Sequence, residues 1–123
     1  MSKILIVEDD IYLLKLYQEI FSKENFEVEI AEDGEEAIKK SKQFLPEIIL
    51  LDLMLPYVDG FGVLKEIKSD QQTKGAIVVV FTNLDSEIQK EKATGLGAAK
   101  FLVKSDQSPV YLLEEVKKLI SKS

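Results

Sequence analysis

The sequence predicts an α/β domain in which five parallel strands form one doubly wound sheet, with helices on both faces and the strand order 2-1-3-4-5. Short apolar segments alternate with helical patterns five times along the 123 residues. Such alternation is typical of βα units, whose crossover connections place helices against a parallel sheet. The first, third and fourth segments are almost continuously apolar, as central strands are, whereas the second alternates as an edge strand does.

The predicted strands are short and rich in β-branched or aromatic residues. They are KILIV (3–7), FEVEIA (26–31), EIILL (47–51), AIVVVF (76–81) and AKFLV (99–103). The third strand has four consecutive apolar residues, Ile48 to Leu51, and it ends directly at Asp52. A carboxylate at the tip of a buried strand is costly unless it is paired. Asp52 is therefore the first residue for which the sequence suggests a chemical role.

Helical patterns are predicted at about 11–23, 34–44, 60–69, 85–95 and 109–121. Capping signals mark several of their starts, namely Asp10, Asp33 with Glu36, Ser86 with Gln89, and Ser108 before Pro109. The fourth helix has few apolar residues beyond Ile88 and Ala93. A helix with few apolar anchors shifts easily, so we expect the face that it forms with Phe101 and the last helix to be the one that moves.

Length and composition predict a single domain over residues 1–123, with no room for an output domain. The net charge of −6 argues against direct nucleic acid binding, because the phosphate backbone repels an acidic surface. No signal peptide or membrane span is apparent. The chain has neither cysteine nor histidine, which excludes thiolate metal sites and a phosphohistidine of its own. We therefore expect a cytoplasmic domain that recruits a cation.

Polar residues follow four of the predicted strands, at the end where open parallel sheets bind ligands. They are Glu8, Asp9 and Asp10 after the first strand, Asp52 after the third, Thr82 after the fourth and Lys104 after the fifth. Carboxylates that lie close together favour a hard divalent cation such as Mg²⁺, which in turn attracts phosphate. Lys104 and Thr82 are suited to hold phosphoryl oxygens, and Asp52 to act as the nucleophile.

Each of these residues also has a purely structural explanation. An aspartate after the first strand commonly caps a helix, threonine is an ordinary strand residue, and a lysine after a strand is usually a solvated surface side chain. Phe101 is more often a core residue than a moving part, and Asp59 before Gly60 is typical of a turn. The functional interpretation depends on the joint pattern, since all informative residues fall at the same end of neighbouring strands.

The segments ILIVEDD, LLDLMLPYVDG, VVVFTN and GAAKFLVK together resemble the response-regulator receiver domain of two-component signalling, over nearly the whole chain. The resemblance implies a flavodoxin-like fold like that of chemotaxis receivers. It implies that Asp52 is the phosphoacceptor, and that Mg²⁺, with Mn²⁺ as a substitute, is bound by Glu8, Asp9, Asp52 and the backbone carbonyl of Met54. It further implies that Thr82 and Lys104 contact the phosphoryl group and that Phe101 rotates inward on activation.

By the same resemblance, the donor is a sensor histidine kinase or a histidine phosphotransfer protein. Phosphorylation alters the face formed by the fourth helix, fifth strand and fifth helix, and so controls an unidentified protein target or a phosphorylation-dependent homodimer. The domain is then a phosphoacceptor that assists its own phosphorylation and is not an enzyme in the usual sense. Two interpretations of Ile11 stay open, since it either docks the partner's helices or widens the core contact of the first helix.

Four positions are expected to modulate this activity. Ser105 stands where the family usually has a cis-proline, so the Lys104–Ser105 bond is either cis or trans. Asn83 stands where a small residue is usual, and its amide either crowds the phosphoryl group or binds it. Met54 and Leu84 lie two residues after Asp52 and Thr82, and neither can orient an attacking water, which predicts slow self-dephosphorylation.

Other functions fit the sequence less well. The acidic EDD after the first strand would repel a flavin phosphate, no GxGxxG motif follows a strand, and an aspartyl phosphatase would need an acid at Met54. The remaining alternative is a receiver-like interaction or dimerisation module that works without phosphorylation.

Overall fold

A computed structural model describes residues 1–121. Strands and helices alternate along the chain, and a 3₁₀ turn, Lys104–Asp106, follows the last strand. The strands are β1 (Ser2–Val7), β2 (Phe26–Ala31), β3 (Ile48–Leu51), β4 (Ile77–Thr82) and β5 (Lys100–Val103). The helices are α1 (Ile11–Lys23), α2 (Gly34–Phe44), α3 (Gly60–Ser69), α4 (Glu87–Gly95) and α5 (Pro109–Ser121).

The strands form one parallel sheet in the order β2-β1-β3-β4-β5, which confirms the predicted fold. Four of the five helices have the predicted bounds, and the strand ends differ by no more than one residue. The largest difference is at α4, which begins at Glu87 rather than near residue 85. The Ser86 hydroxyl caps this helix by accepting a hydrogen bond from the Gln89 N–H, so the preceding residues belong to the loop.

The sheet separates two hydrophobic cores. Residues of β3 alternate between them, because successive side chains of a strand point to opposite faces. Ile48 and Leu50 pack with α1 and α5 on one face, whereas Ile49 and Leu51 pack with α2 and α3 on the other. All four are buried. β3 is therefore held on both faces, and the position of its carboxyl end is well defined.

The helices differ in how firmly they are held. Asp10 caps α1 as predicted, since its carboxylate accepts hydrogen bonds from the N–H groups of Tyr12 and Leu13. By contrast, α4 buries only Ala93 among its residues, and Ile88 is 79% exposed. The expectation of a weakly packed fourth helix is confirmed in this respect.

The loop from Asp52 to Gly60 folds tightly against the end of β3. The Gly60 N–H donates to the Leu53 carbonyl at 2.9 Å. A Cβ atom on Gly60 would lie 2.4 Å from the Leu53 Cα and 2.5 Å from the Asp52 carbonyl oxygen, so a side chain cannot be accommodated there without movement. Glycine at this position lets α3 start directly beside the strand end.

Candidate functional site

The strand register brings the predicted site residues to one edge of the sheet. Val7 pairs with Leu51, and the Asp52 N–H extends the ladder by donating to the Val7 carbonyl at 3.2 Å. Glu8 and Asp52 therefore follow adjacent strands at the same level. Both are largely buried, with 3% and 6% of their surface exposed.

Both oxygens of the Asp52 carboxylate have a partner. Oδ1 accepts a hydrogen bond from the Met54 N–H at 3.1 Å, and Oδ2 accepts one from the Lys104 ammonium at 2.7 Å. The first bond comes from the loop that follows β3 and the second from the end of β5. Together they fix the orientation of a carboxylate that burial would otherwise destabilise.

The Lys104 ammonium also contacts the Glu8 carboxylate, so it lies between two buried acids. Burial alone would lower the pKa of Lys104, but the hydrogen bonds that its ammonium donates to Asp52 and Glu8 outweigh this effect and raise the pKa above its usual value. Burial raises the pKa of Glu8, although Lys104 and the N–H of Asp10 oppose the shift. The lysine therefore remains charged and neutralises part of the acidic cluster.

Glu8, Asp9 and Asp52 form a group that fits a divalent cation. One carboxylate oxygen from each lies within 4.8 Å of the others, and oxygen ligands are those that Mg²⁺ prefers. Asp9 is exposed to solvent, whereas Glu8 and Asp52 are buried. The backbone of Met54 lies beside this group through its bond to Asp52, and a metal-binding role for its carbonyl stays a prediction.

Thr82 and Phe101 lie on the neighbouring strands. Thr82 is fully buried, and its hydroxyl oxygen accepts a hydrogen bond from the Leu84 N–H at 3.3 Å, which leaves the hydroxyl proton free to be donated elsewhere. Phe101 is half-buried and packs against the α2/α3 core. Thr82 thus lies at the end of β4, next to β3, and Phe101 lies in β5, which leads to Lys104. Their roles in switching stay predictions.

Asn83 and Ser105 contact each other, which the sequence did not indicate. The Asn83 Oδ1 accepts a hydrogen bond from the Ser105 N–H at 3.1 Å. No cis peptide bond occurs within residues 1–121, so the Lys104–Ser105 bond is trans. The ladder between β4 and β5 ends with the pair Thr82 and Val103, and Asn83 and Ser105 lie in the loops that follow. The register of the two strands therefore brings these loops close together.

Comparison with known proteins identifies the class of protein to which this fold and acidic site correspond. The family model of the response regulator receiver domain matches residues 4–117. The chain belongs to this family, whose members are signalling domains rather than classical enzymes. It is thus a receiver domain of the two-component type, a class that signals through phosphorylation.

The chain spans most of the length of one curated relative and half or less of two others. The chain is 30% identical over 108 residues to the chemotaxis protein CheY of Halobacterium salinarum, with 88% of both chains covered. It is 35% identical over 122 residues to the alkaline phosphatase synthesis transcriptional regulatory protein PhoP of Bacillus subtilis, and this match covers 99% of the chain but 50% of PhoP. For the response regulator PleD of Caulobacter vibrioides the identity is 37% over 103 residues, which span 84% of the chain and 23% of PleD.

Solved structures show the same fold. A CheY-like receiver domain protein from Methanospirillum hungatei superimposes with a TM-score of 0.93 at 27% identity, covering 99% of this chain and 95% of the other. Chemotaxis protein CheY4 of Vibrio cholerae gives 0.89 at 29% identity, with 96% and 98% covered. Within residues 1–121, no helix is long and apolar enough to span a membrane.

Proposed function

We propose that Asp52 accepts a phosphoryl group from a phosphohistidine of a partner kinase or phosphotransfer protein, in a reaction that requires Mg²⁺. The observation that carries this proposal is the setting of the Asp52 carboxylate. It is 6% exposed, it lies 2.7 Å from an ammonium, and it shares a cluster with two further acids. A cation site beside a fixed carboxylate is what phosphoryl transfer to that carboxylate needs.

In the transfer step, an Asp52 oxygen forms a bond to phosphorus while the phosphorus–nitrogen bond to the donor imidazole breaks, and the imidazole nitrogen keeps the electron pair. A Mg²⁺ ion held by Glu8, Asp9, Asp52 and the Met54 carbonyl would neutralise charge on the phosphoryl oxygens. The Met54 N–H holds the carboxylate in orientation. The Lys104 ammonium exchanges its contact with Asp52 for one with a phosphoryl oxygen, which keeps its charge compensated.

The modified side chain carries roughly two negative charges and three acceptor oxygens, which favours new hydrogen bonds from neighbouring donors. The Thr82 hydroxyl keeps a proton to donate, and it is linked through Leu84 to the loop that leads into α4. We infer that this loop moves toward the phosphoryl group and that Phe101 turns inward behind it. The few buried contacts of α4 support a change at the α4, β5 and α5 face.

The donor protein is proposed to dock on the first turns of α1. Ile11, Tyr12 and Leu16 are 39%, 85% and 43% exposed, so part of each side chain is open to a partner. They follow directly after the Asp9 end of the site. Replacing Ile11 by alanine should slow transfer from a cognate kinase but not phosphorylation by acetyl phosphate. If both rates and the stability equal those of the wild type, Ile11 takes no part in docking.

The central experiment treats wild type and Asp52→Asn with acetyl phosphate and Mg²⁺ and follows a phosphate-affinity gel shift. The wild type should be modified only when Mg²⁺ is present, and Asp52→Asn should not be modified. Samples with a chelator provide the matched control. A wild type that is never modified would exclude the phosphoacceptor role and favour an interaction module that works without phosphorylation.

We further propose that residues 1–123 act as one receiver domain and that this domain works in the cytoplasm. It is proposed to make no direct contact with nucleic acid. Whether phosphorylation produces a homodimer is measured by light scattering with and without beryllofluoride, which imitates a bound phosphoryl group.

A further inference from the structure

A hydrogen bond between Asn83 and Ser105 joins the loops that follow β4 and β5. The Ser105 N–H donates to the Asn83 Oδ1 at 3.1 Å, although the two residues are 22 positions apart. We call this contact the inter-loop clasp. Asn83 directly follows Thr82, and Ser105 directly follows Lys104. The clasp therefore lies next to both residues to which the proposed function assigns phosphoryl binding.

The clasp depends on one polar group from each residue, the Asn83 side-chain oxygen and the Ser105 N–H. Ser105 lies in the 3₁₀ turn Lys104–Asp106, and the first N–H groups of such a turn have no acceptor within it. No side-chain cap is provided by Val103, which precedes the turn. Asn83 supplies an acceptor through its side-chain oxygen, and Ser105 has a backbone donor because it is not proline. Removing either group removes the bond.

Lys104 lies between two restrained neighbours. The ladder between β4 and β5 ends with the pair Thr82 and Val103, so the backbone before Lys104 is held by the sheet. The clasp then holds the residue after it. A lysine side chain has several rotatable bonds, and a fixed backbone on both sides reduces the range of positions that its ammonium samples.

We propose that Asn83 is a positioning residue for the Lys104 ammonium and acts through the inter-loop clasp. This inference rests on the proposed function, because it assumes that the ammonium binds the phosphoryl group. Asn83 does not need to touch that group, and its side-chain oxygen is already engaged. The positioning role therefore requires neither of the two effects expected for Asn83, which were crowding the phosphoryl group or binding it.

The test compares wild type with Asn83→Ala in the full chain, using calorimetric titrations with Mg²⁺ alone and with beryllofluoride in the presence of Mg²⁺. The variant should bind beryllofluoride about two- to fivefold more weakly, as loss of one solvent-exposed hydrogen bond predicts. Its affinity for Mg²⁺ should not fall, because Glu8, Asp9 and Asp52 lie on other loops and a less restrained ammonium does not weaken a cation site. Ser105→Ala retains the N–H donor and serves as the matched control, with wild-type affinity for both ligands.

A second measurement follows the exchange of the Ser105 amide proton by NMR without any ligand. Asn83→Ala should accelerate this exchange while lowering the midpoint of thermal unfolding by no more than about 4 °C, because Asn83 is exposed and belongs to neither hydrophobic core. This readout does not depend on phosphoryl chemistry.

The outcomes separate the two proposals. Equal beryllofluoride affinity for wild type and Asn83→Ala overturns the positioning role and leaves the phosphoacceptor role intact. Parallel weakening of Mg²⁺ and beryllofluoride binding also overturns it, since that indicates a general structural effect. Unchanged exchange at Ser105 shows that the clasp does not form in solution. A wild type that binds no beryllofluoride refutes the proposed function itself.

Discussion

At the scale of single residues, Lys104 contacts carboxylates that a divalent cation would also need. The ammonium contacts Glu8 and Asp52, two of the three acids that fit a metal ion. Any cation that enters must share these oxygens with a charge already present, and the repulsion lowers its affinity. The lysine therefore keeps the cluster stable without metal and weakens metal binding at the same time.

Lys104→Met should make this competition measurable. Mg²⁺ affinity should rise about three- to tenfold, because one close positive charge is removed from a partly buried site. Phosphorylation by acetyl phosphate should nevertheless become slower, since the transferred group loses its ammonium partner. Lys90→Met removes one positive charge as well, but at an exposed position, and serves as the control. Unchanged or weaker Mg²⁺ binding by Lys104→Met, measured by calorimetry, would contradict the competition.

We expect the side chains of Met54 and Leu84 to determine how long a phosphoryl group on Asp52 persists. Neither can accept a hydrogen bond from an attacking water, so the phosphorylated wild type should lose its phosphoryl group slowly. Leu84→Gln adds a polar group and should accelerate hydrolysis about tenfold or more. Release of inorganic phosphate after removal of the donor gives the rate, and Leu84→Met is the apolar control. Equal rates for Leu84→Gln and Leu84→Met would show that this position does not act on water.

At the scale of elements, α4 and α1 differ in how strongly they are anchored. α1 buries Leu14, Tyr17 and Phe21, whereas α4 buries only Ala93. Amide protons of α4 should therefore exchange at least about tenfold faster than those in the middle of α1, because local opening of α4 exposes little apolar surface. Hydrogen exchange followed by NMR on the unphosphorylated protein provides the comparison. Equal protection of both helices would remove the structural basis for a mobile α4.

A charged group links α5 to β5. Glu115 is largely buried, accepts a hydrogen bond from the Tyr111 hydroxyl at 2.7 Å and lies 3.5 Å from the Lys100 ammonium. The Tyr111 bond is the main cause that lowers the pKa of Glu115 below its ordinary value of 4.5, with Lys100 and Lys118 contributing. The ionised carboxylate therefore stabilises the folded protein.

This shift predicts a defined pH dependence for Glu115→Gln. A lowered pKa in the folded state contributes stability that is present above the ordinary pKa and is lost as the pH falls through the folded value. The variant should thus be less stable than wild type at pH 7, and the difference should shrink below about pH 4.5. Urea unfolding between pH 3 and pH 7 measures it. A difference that grows as the solution becomes more acidic would refute this assignment.

Elements were easier to predict than contacts between side chains. The apolar segments indicated the strands because burial of alternate faces leaves a clear pattern, and Asp10 and Ser86 indicated helix starts because capping is local. The site residues Glu8, Asp52 and Lys104 were predictable because the fold brings strand ends together. The bond between Asn83 and Ser105 was not, since a side-chain to backbone contact across 22 residues has no periodic signal.

At the scale of the whole molecule, the sheet keeps two cores apart. Val116 of α5 belongs to one and Val63 of α3 to the other, and both are fully buried. Each valine-to-alanine substitution should lower the free energy of unfolding by about 2 kcal/mol.

The double variant should lose about 4 kcal/mol, within about 0.5 kcal/mol of the sum, because the two sites share no packing partner. Chemical denaturation of the four proteins completes the cycle. A loss that departs from the sum by more than about 1 kcal/mol would show that the cores respond to each other through the sheet.

The separation of the two cores also bears on how such a protein can change over generations. The exposed residues of α1 stand on a helix rooted in one core, and the loosely held α4 stands on the other. With α1 as the proposed donor surface, substitutions on its exposed face need not disturb the packing beneath α4. α5 packs in the same core as α1, so this independence extends to α4 and not to α5.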